Sequence, residues 1–117
     1  MANQEHLDIL TRGIKAWNQW REQTPTVRPD LRYAKLGDMN MVGAALSGAA
    51  MRNASLMGAN LDGANLIRAN LTNADVDGAS LIRGNLTDAI LSGTDLNFAV
   101  LSGADMNGVH LEGADLS

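Results

Sequence analysis

The chain has 117 residues, room for one domain, and carries 13 acidic against 9 basic residues for a net charge of −4. That balance leaves no surplus of Lys and Arg for phosphate contacts and argues against a nucleic-acid binder. With no cysteine it has no disulfide framework, no thiolate metal site and no Cys nucleophile.

The first segment, residues 1–28, is read as a helical cap. Leu7, Leu10, Ile14 and Trp17 fall at helical spacing, with Trp20 one turn beyond Trp17. Gly13 weakens a continuous helix by about 1 kcal/mol relative to Ala, so two short helices, 3–12 and 14–23, compete with a single one. Pro25 and Pro29 stop the helix. Glu5 and Asp8 interrupt any leader-like apolar run, and no stretch approaches a membrane span, so the expected location is cytoplasmic with no membrane partner.

From Leu31 to Leu116 every fifth residue is Leu, Met or Val, eighteen positions without a miss. Two residues before each lies a small slot, mostly Ala, with Pro29, Met39, Gly84, Thr94 and Val109 as departures. The slot between the two is polar, often Asn or Asp, and the second residue after the Leu is often Gly. A period of five fits neither a helix nor a flat strand. The β alternation lasts three residues and then meets a turn, so the chain turns a corner every five residues. Corners of about 90° close a coil in about 20 residues, and coils stack at about 4.8 Å. Residues 29–117 then form about four and a half coils, with Leu56, Leu61, Leu66, Leu71, Leu81 and Leu86 pointing into a lumen where large and small rows alternate.

The units ANLDG (59–63), ANLIR (64–68), ANLTN (69–73), ADVDG (74–78) and ADLS (114–117) resemble the pentapeptide-repeat family, whose pattern is A(D/N)LXX. The resemblance covers about three quarters of the chain. It implies an all-β solenoid, a right-handed quadrilateral β-helix, here with an N-terminal α-helical cap. Units such as MNMVG (39–43) and TDLNF (94–98) depart from the pattern and are expected to bulge locally. The stretch 14–31 is similar to the cap of short cyanobacterial members. An open coil end needs a cover, and Leu10, Ile14, Trp17 and Trp20 are expected to plug the N-terminal mouth. The last coil has no such cover, which leaves a homodimer or filament-like stacking through it as the expected association.

No constellation reads as catalytic. His6 and His110 lie far apart, the serines have no base beside them, and the glycines recur as corners rather than as a phosphate loop. No cofactor or metal is expected. Sorting outward residues by a period of 20 places Asp75, Asp95 and Asp115 in one row with Asp77 alongside, an acidic face. Its readings are a solvated surface, weak divalent-cation binding, or the DNA mimicry that the resemblance to gyrase-inhibiting members implies. Ile82, Phe98 and Val100 are apolar in outward slots and form a candidate protein-contact patch. The sequence therefore predicts a non-catalytic scaffold for an unknown protein partner, with inhibition of a DNA-binding enzyme such as a topoisomerase as the alternative.

Overall fold

The computed structural model describes all 117 residues. Two helices come first: α1 over Gln4–Thr11 and α2 over Ile14–Gln23. The break between them is Gly13, whose φ of 113° is open to glycine and closed to most side chains. Asn3 caps α1, its side-chain oxygen accepting the His6 N–H at 3.2 Å.

The rest of the chain winds into a four-sided coil held by parallel bridges of period 20, from Asp30–Ala50 through to Asp95–Asp115. We number the faces by their central apolar rows. Face 1 holds Leu31, Met51, Leu71, Leu91 and Leu111; face 2 holds Leu36, Leu56, Val76, Leu96 and Leu116. Face 3 holds Met41, Leu61, Leu81 and Leu101, and face 4 holds Leu46, Leu66, Leu86 and Met106. Each face spends its backbone groups on the neighbouring coils: Leu66 N–H donates to Asn85 O at 2.7 Å, and Asn85 N–H donates to Ala64 O at 2.9 Å. A third bond, Ala69 N–H to Leu66 O at 3.0 Å, closes the corner. All seventeen corner residues from Tyr33 to Gly113 have φ between 56° and 73°. A positive φ at the third turn residue alone is the signature of a type II turn, which is why Gly, Asn and Asp recur there.

The lumen is packed as the period of five requires. Leu56, Leu61, Leu66, Leu71, Leu81 and Leu86 are all buried, and so are the Ala rows between them. The leftover space along the large row is about 10 Å³, at the lower limit for one water. The lumen therefore holds the fold and admits no ligand. The expected bulges at 39–43 and 94–98 do not occur: Asn40 keeps its bridge to Asn60, and Asp95 bridges both Asp75 and Asp115. Thr94 fits its Ala slot because its hydroxyl donates to Leu71 O at 2.7 Å. Met39 packs half-buried against the core from the first coil without displacing the ladder.

Trp17 and Leu10 are fully buried over the mouth of the first coil, with Ile14 and Trp20 half-buried against the same core. The cap also completes the ladder. The first coil has no coil beneath it, so its outer N–H groups need other acceptors. His6 Nδ1 accepts from Asp30 N–H at 3.0 Å, and Asn18 Oδ1 accepts from Ala45 N–H at 2.8 Å. Trp17 Nε1 donates to Ala45 O at 2.8 Å, and Arg21 donates to the carbonyls of Ala45, Val27 and Ser47. Burial lowers the Arg21 pKa from its ordinary value. At the far end Leu101, Met106 and Leu111 are only half-buried, and Leu116 is 58% exposed.

Candidate functional site on the outer faces

With the lumen closed, any site lies on the four walls. Their most regular feature is the Asn or Asp before each central Leu. Asn60, Asn65, Asn70, Asn85, Asp75, Asp95 and Asp105 each accept the N–H two residues on, at 2.9–3.1 Å. These are Asx turns, which tie the side chain to the backbone as the chain approaches a corner. The slot is therefore structural, and Asn and Asp fill it equally well. Where Ser80 occupies it, Asp62 from the coil below accepts the Ile82 N–H at 3.0 Å instead, and also the Ser80 hydroxyl.

The walls differ in charge. Face 2 brings Asp75, Asp77 and Asp95 together, with carboxylate oxygens within 4.8 Å of one another and all three side chains half-buried. Asp115 continues the row, its Oδ2 accepting from Asn97 Nδ2 at 3.3 Å. The hydroxyl and N–H of Ser117, with Asn97, hold the Asp115 carboxyl below the ordinary range. Three carboxylates at this spacing have the donor chemistry for a hard cation. Two of them, however, already spend an oxygen on an Asx turn, which is reason enough for their presence.

Face 1 begins basic. Arg32 forks onto Asp30, Nε to Oδ1 at 2.9 Å and a terminal nitrogen to Oδ2 at 3.0 Å. These bonds hold the Asp30 carboxyl below its ordinary range. Arg52 stands above Arg32 on the same face, with Arg28 and Arg68 on the adjoining corner. Face 1 ends in His110 and Glu112, 3.8 Å apart. The Glu112 N–H and the Ser92 hydroxyl lower the Glu112 pKa.

Face 3 is the apolar wall. Val100 bridges Ser80 and is 43% exposed; Ile82 lies half-buried two residues beyond Ser80. Ile82 is thus the first residue of the turn that leaves face 3, one coil below Val100. Phe98 sits at the corner leading into face 3, 80% exposed and at φ 60°. Phe98 and Ile82 thus stand at opposite corners of face 3, with Val100 on the wall between them. Two capping residues, His6 and Asn18, escaped sequence reasoning, because their partners lie 24 and 27 residues away with no pattern linking them.

Pentapeptide repeats match the chain over residues 30–63, 51–88 and 79–117, together most of its length. The chain belongs to the pentapeptide-repeat family. Its fold is the right-handed quadrilateral β-helix with an N-terminal helical cap. HetL, a pentapeptide repeat protein involved in heterocyst differentiation regulation in the cyanobacterium Nostoc, superposes with a TM-score of 0.68 at 44% identity, over 69% of this chain and 38% of its own. A pentapeptide repeat protein of the Arabidopsis thaliana thylakoid lumen gives 0.70 at 28% identity, over 73% of this chain and 59% of its own. A second Nostoc member gives 0.68 at 30% identity, over 86% and 94%. This pentapeptide-repeat protein thus spans less than two thirds of the first two. No curated protein sequence matches the chain. No helix is long and apolar enough to cross a membrane. With one relative in the thylakoid lumen, family membership does not fix the expected cytoplasmic location.

Proposed function

We propose that this pentapeptide-repeat protein is a non-catalytic scaffold that binds another protein through face 3. The observation that carries the reading is Phe98. A bulky aromatic in the left-handed region is strained, and neither packing nor a hydrogen bond compensates for its 80% exposure. The turn imposes that φ at every corner, so what points to contact is an exposed aromatic where Gly would fit without strain. The non-catalytic part draws support from the histidines: His6 serves as an acceptor for the first coil, and His110 faces only Glu112.

The test separates stability from binding. Phe98→Gly should stabilise the chain by about 1 kcal/mol, read from the denaturant midpoint, because it relieves the left-handed strain. In a pull-down from native lysate, the partner bands held by the wild type should disappear with Phe98→Gly and with Ile82→Ser. Bands that survive both substitutions would remove face 3 as the contact. The carboxylates of face 2 support a second reading, mimicry of a DNA phosphate row. A supercoiling assay that stays intact at large protein excess removes it. The half-buried rows of the last coil support self-association through that end, which light scattering at micromolar protein tests by mass.

A further inference from the structure

The opening of face 1 is a cleft of about 400 Å³, walled by Arg28, Pro29, Asp30, Arg32, Ala50, Arg52 and Asn70. It lies where the cap hands over to the coil, and its chemistry is one-sided. Five of the seven carbonyls around it are already engaged. Pro29 O accepts from Ala50, Asp30 O from Asn3, Ala50 O from Leu31, Asn70 O from Met51 and Arg52 O from Tyr33. The one carboxylate, Asp30, has both oxygens on Arg32. Asn70 has its Oδ1 committed to the N–H and hydroxyl of Thr72, at 3.0 and 2.6 Å, so its amide presents only its NH₂ group.

The donors, in contrast, are free. Arg28 spends one nitrogen, Nε, on Gly48 O at 2.9 Å, and its remaining guanidinium N–H groups have no acceptor. Arg52 makes no ion pair in the chain. With Arg32 neutralised by Asp30, two uncompensated guanidinium charges remain in the cleft, in a protein of net charge −4. Arginine forks bind phosphate and carboxylate in bidentate fashion. A phosphomonoester carries about −1.5 to −2 near neutral pH, which matches two free guanidiniums, whereas a carboxylate or a phosphodiester carries half of that.

From this we infer that the cleft between Arg28, Arg52 and Asn70 is a binding site for a phosphomonoester group. The inference is independent of face 3 and goes beyond the scaffold reading, because it assigns a ligand chemistry to a different wall. The Asp30–Arg32 pair keeps the only local carboxylate out of competition.

Phenyl phosphate is the probe, titrated against the full chain while the arginine Nε–H resonances are followed by NMR. Arg28 and Arg52 signals should shift in a saturable manner. Arg52→Gln should weaken the probe about tenfold, the scale of one lost charge-assisted bond, and Arg52→Glu should abolish binding. Arg52 makes no ion pair, so neither change threatens the fold, and an unchanged melting temperature verifies this. Arg12→Gln, at the end of α1, should leave affinity unchanged. A phosphodiester probe, methyl phenyl phosphate, should bind at least several-fold more weakly. Parallel titrations with a phosphoserine peptide and a sugar phosphate name the source, the tighter of the two marking a protein-borne or a small-molecule ligand. The inference is overturned by an absence of shifts at about 10 mM probe. It is equally overturned if the diester binds as well as the monoester, or if Arg12→Gln weakens binding as much as Arg52→Gln.

Discussion

At each corner a single residue stands in the left-handed region, and the neighbour one coil below decides what may replace it. The Asp38 carboxylate leans over Gly58, the Asn73 amide over Gly93 and the Asp88 carboxylate over Gly108, so a Cβ at any of these glycines would strike the side chain beneath. Gly78, by contrast, has nothing within 4 Å. Both Gly58→Ala and Gly78→Ala carry the backbone penalty of about 1–2 kcal/mol, and Gly58→Ala must also displace Asp38. Thermal melts should therefore rank Gly58→Ala below Gly78→Ala, and Asp38→Gly should erase the difference. The choice of Gly at a corner thus follows from two facts, the φ of that residue and the length of the side chain twenty positions earlier. The first is legible from the repeat. The second needs the period of 20, and also the direction in which corner side chains lean.

Among the elements, the coil and the cap divide the work differently. In the lumen, Ala64→Leu should overpack at a cost of about 1–3 kcal/mol and Leu66→Ala should leave a cavity costing about 2–5 kcal/mol. Asn65→Ala should cost about 1 kcal/mol, because it loses only the Asx bond to Ile67 N–H. Chemical denaturation of the three variants tests the order, and equal losses would contradict the assignment of inward and outward slots. For the cap, His6→Ala and Asn18→Ala should each cost about 1–3 kcal/mol by orphaning the amides of Asp30 and Ala45. Hydrogen exchange at those two amides should accelerate while the amide of Leu81 stays protected. The helices themselves were legible: Leu10 and Trp17 at helical spacing, and Gly13 as the break. The hydrogen bonds of His6 and Asn18 were not, because a polar side chain on a short helix reads the same whether it meets water or an unpaired strand edge. MNMVG departs from the pattern at Met39, yet Met39 packs half-buried against the core while Asn40 keeps its bridge to Asn60, an accommodation that no pattern records.

Over the whole molecule, the charge sorting is strongest on face 2, which carries Asp75, Asp77, Asp95 and Asp115; face 1 sets Arg32 and Arg52 against Asp30 and Glu112, and face 3 sets Asp62 against Arg83. Four of the acids in the C-terminal half share face 2 as one stripe, while Asp88, Asp105 and Glu112 fall on other walls or corners. Asx turns accept Asn and Asp alike, so the stripe can be diluted without touching the fold. Asp95→Asn should keep the bond to Asn97 N–H and stabilise the chain by a few tenths of a kcal/mol at low salt through reduced repulsion. That gain should vanish near 1 M salt, where the Debye length is about 3 Å, as melts in both buffers would reveal. A loss of stability at low salt would mean that the carboxylates are held together by something other than the backbone.

The register of twenty also carries an arithmetic of insertion. Adding four units lengthens the rod by one storey and returns every wall to its original heading. Adding a single unit of five rotates everything downstream by a quarter turn, so that Asp95 and Asp115 would stand above Ser80 and the arginine end would look out on a new neighbour. Lengthening by twenties conserves the compass of the surface, while lengthening by fives redraws it with the same residues.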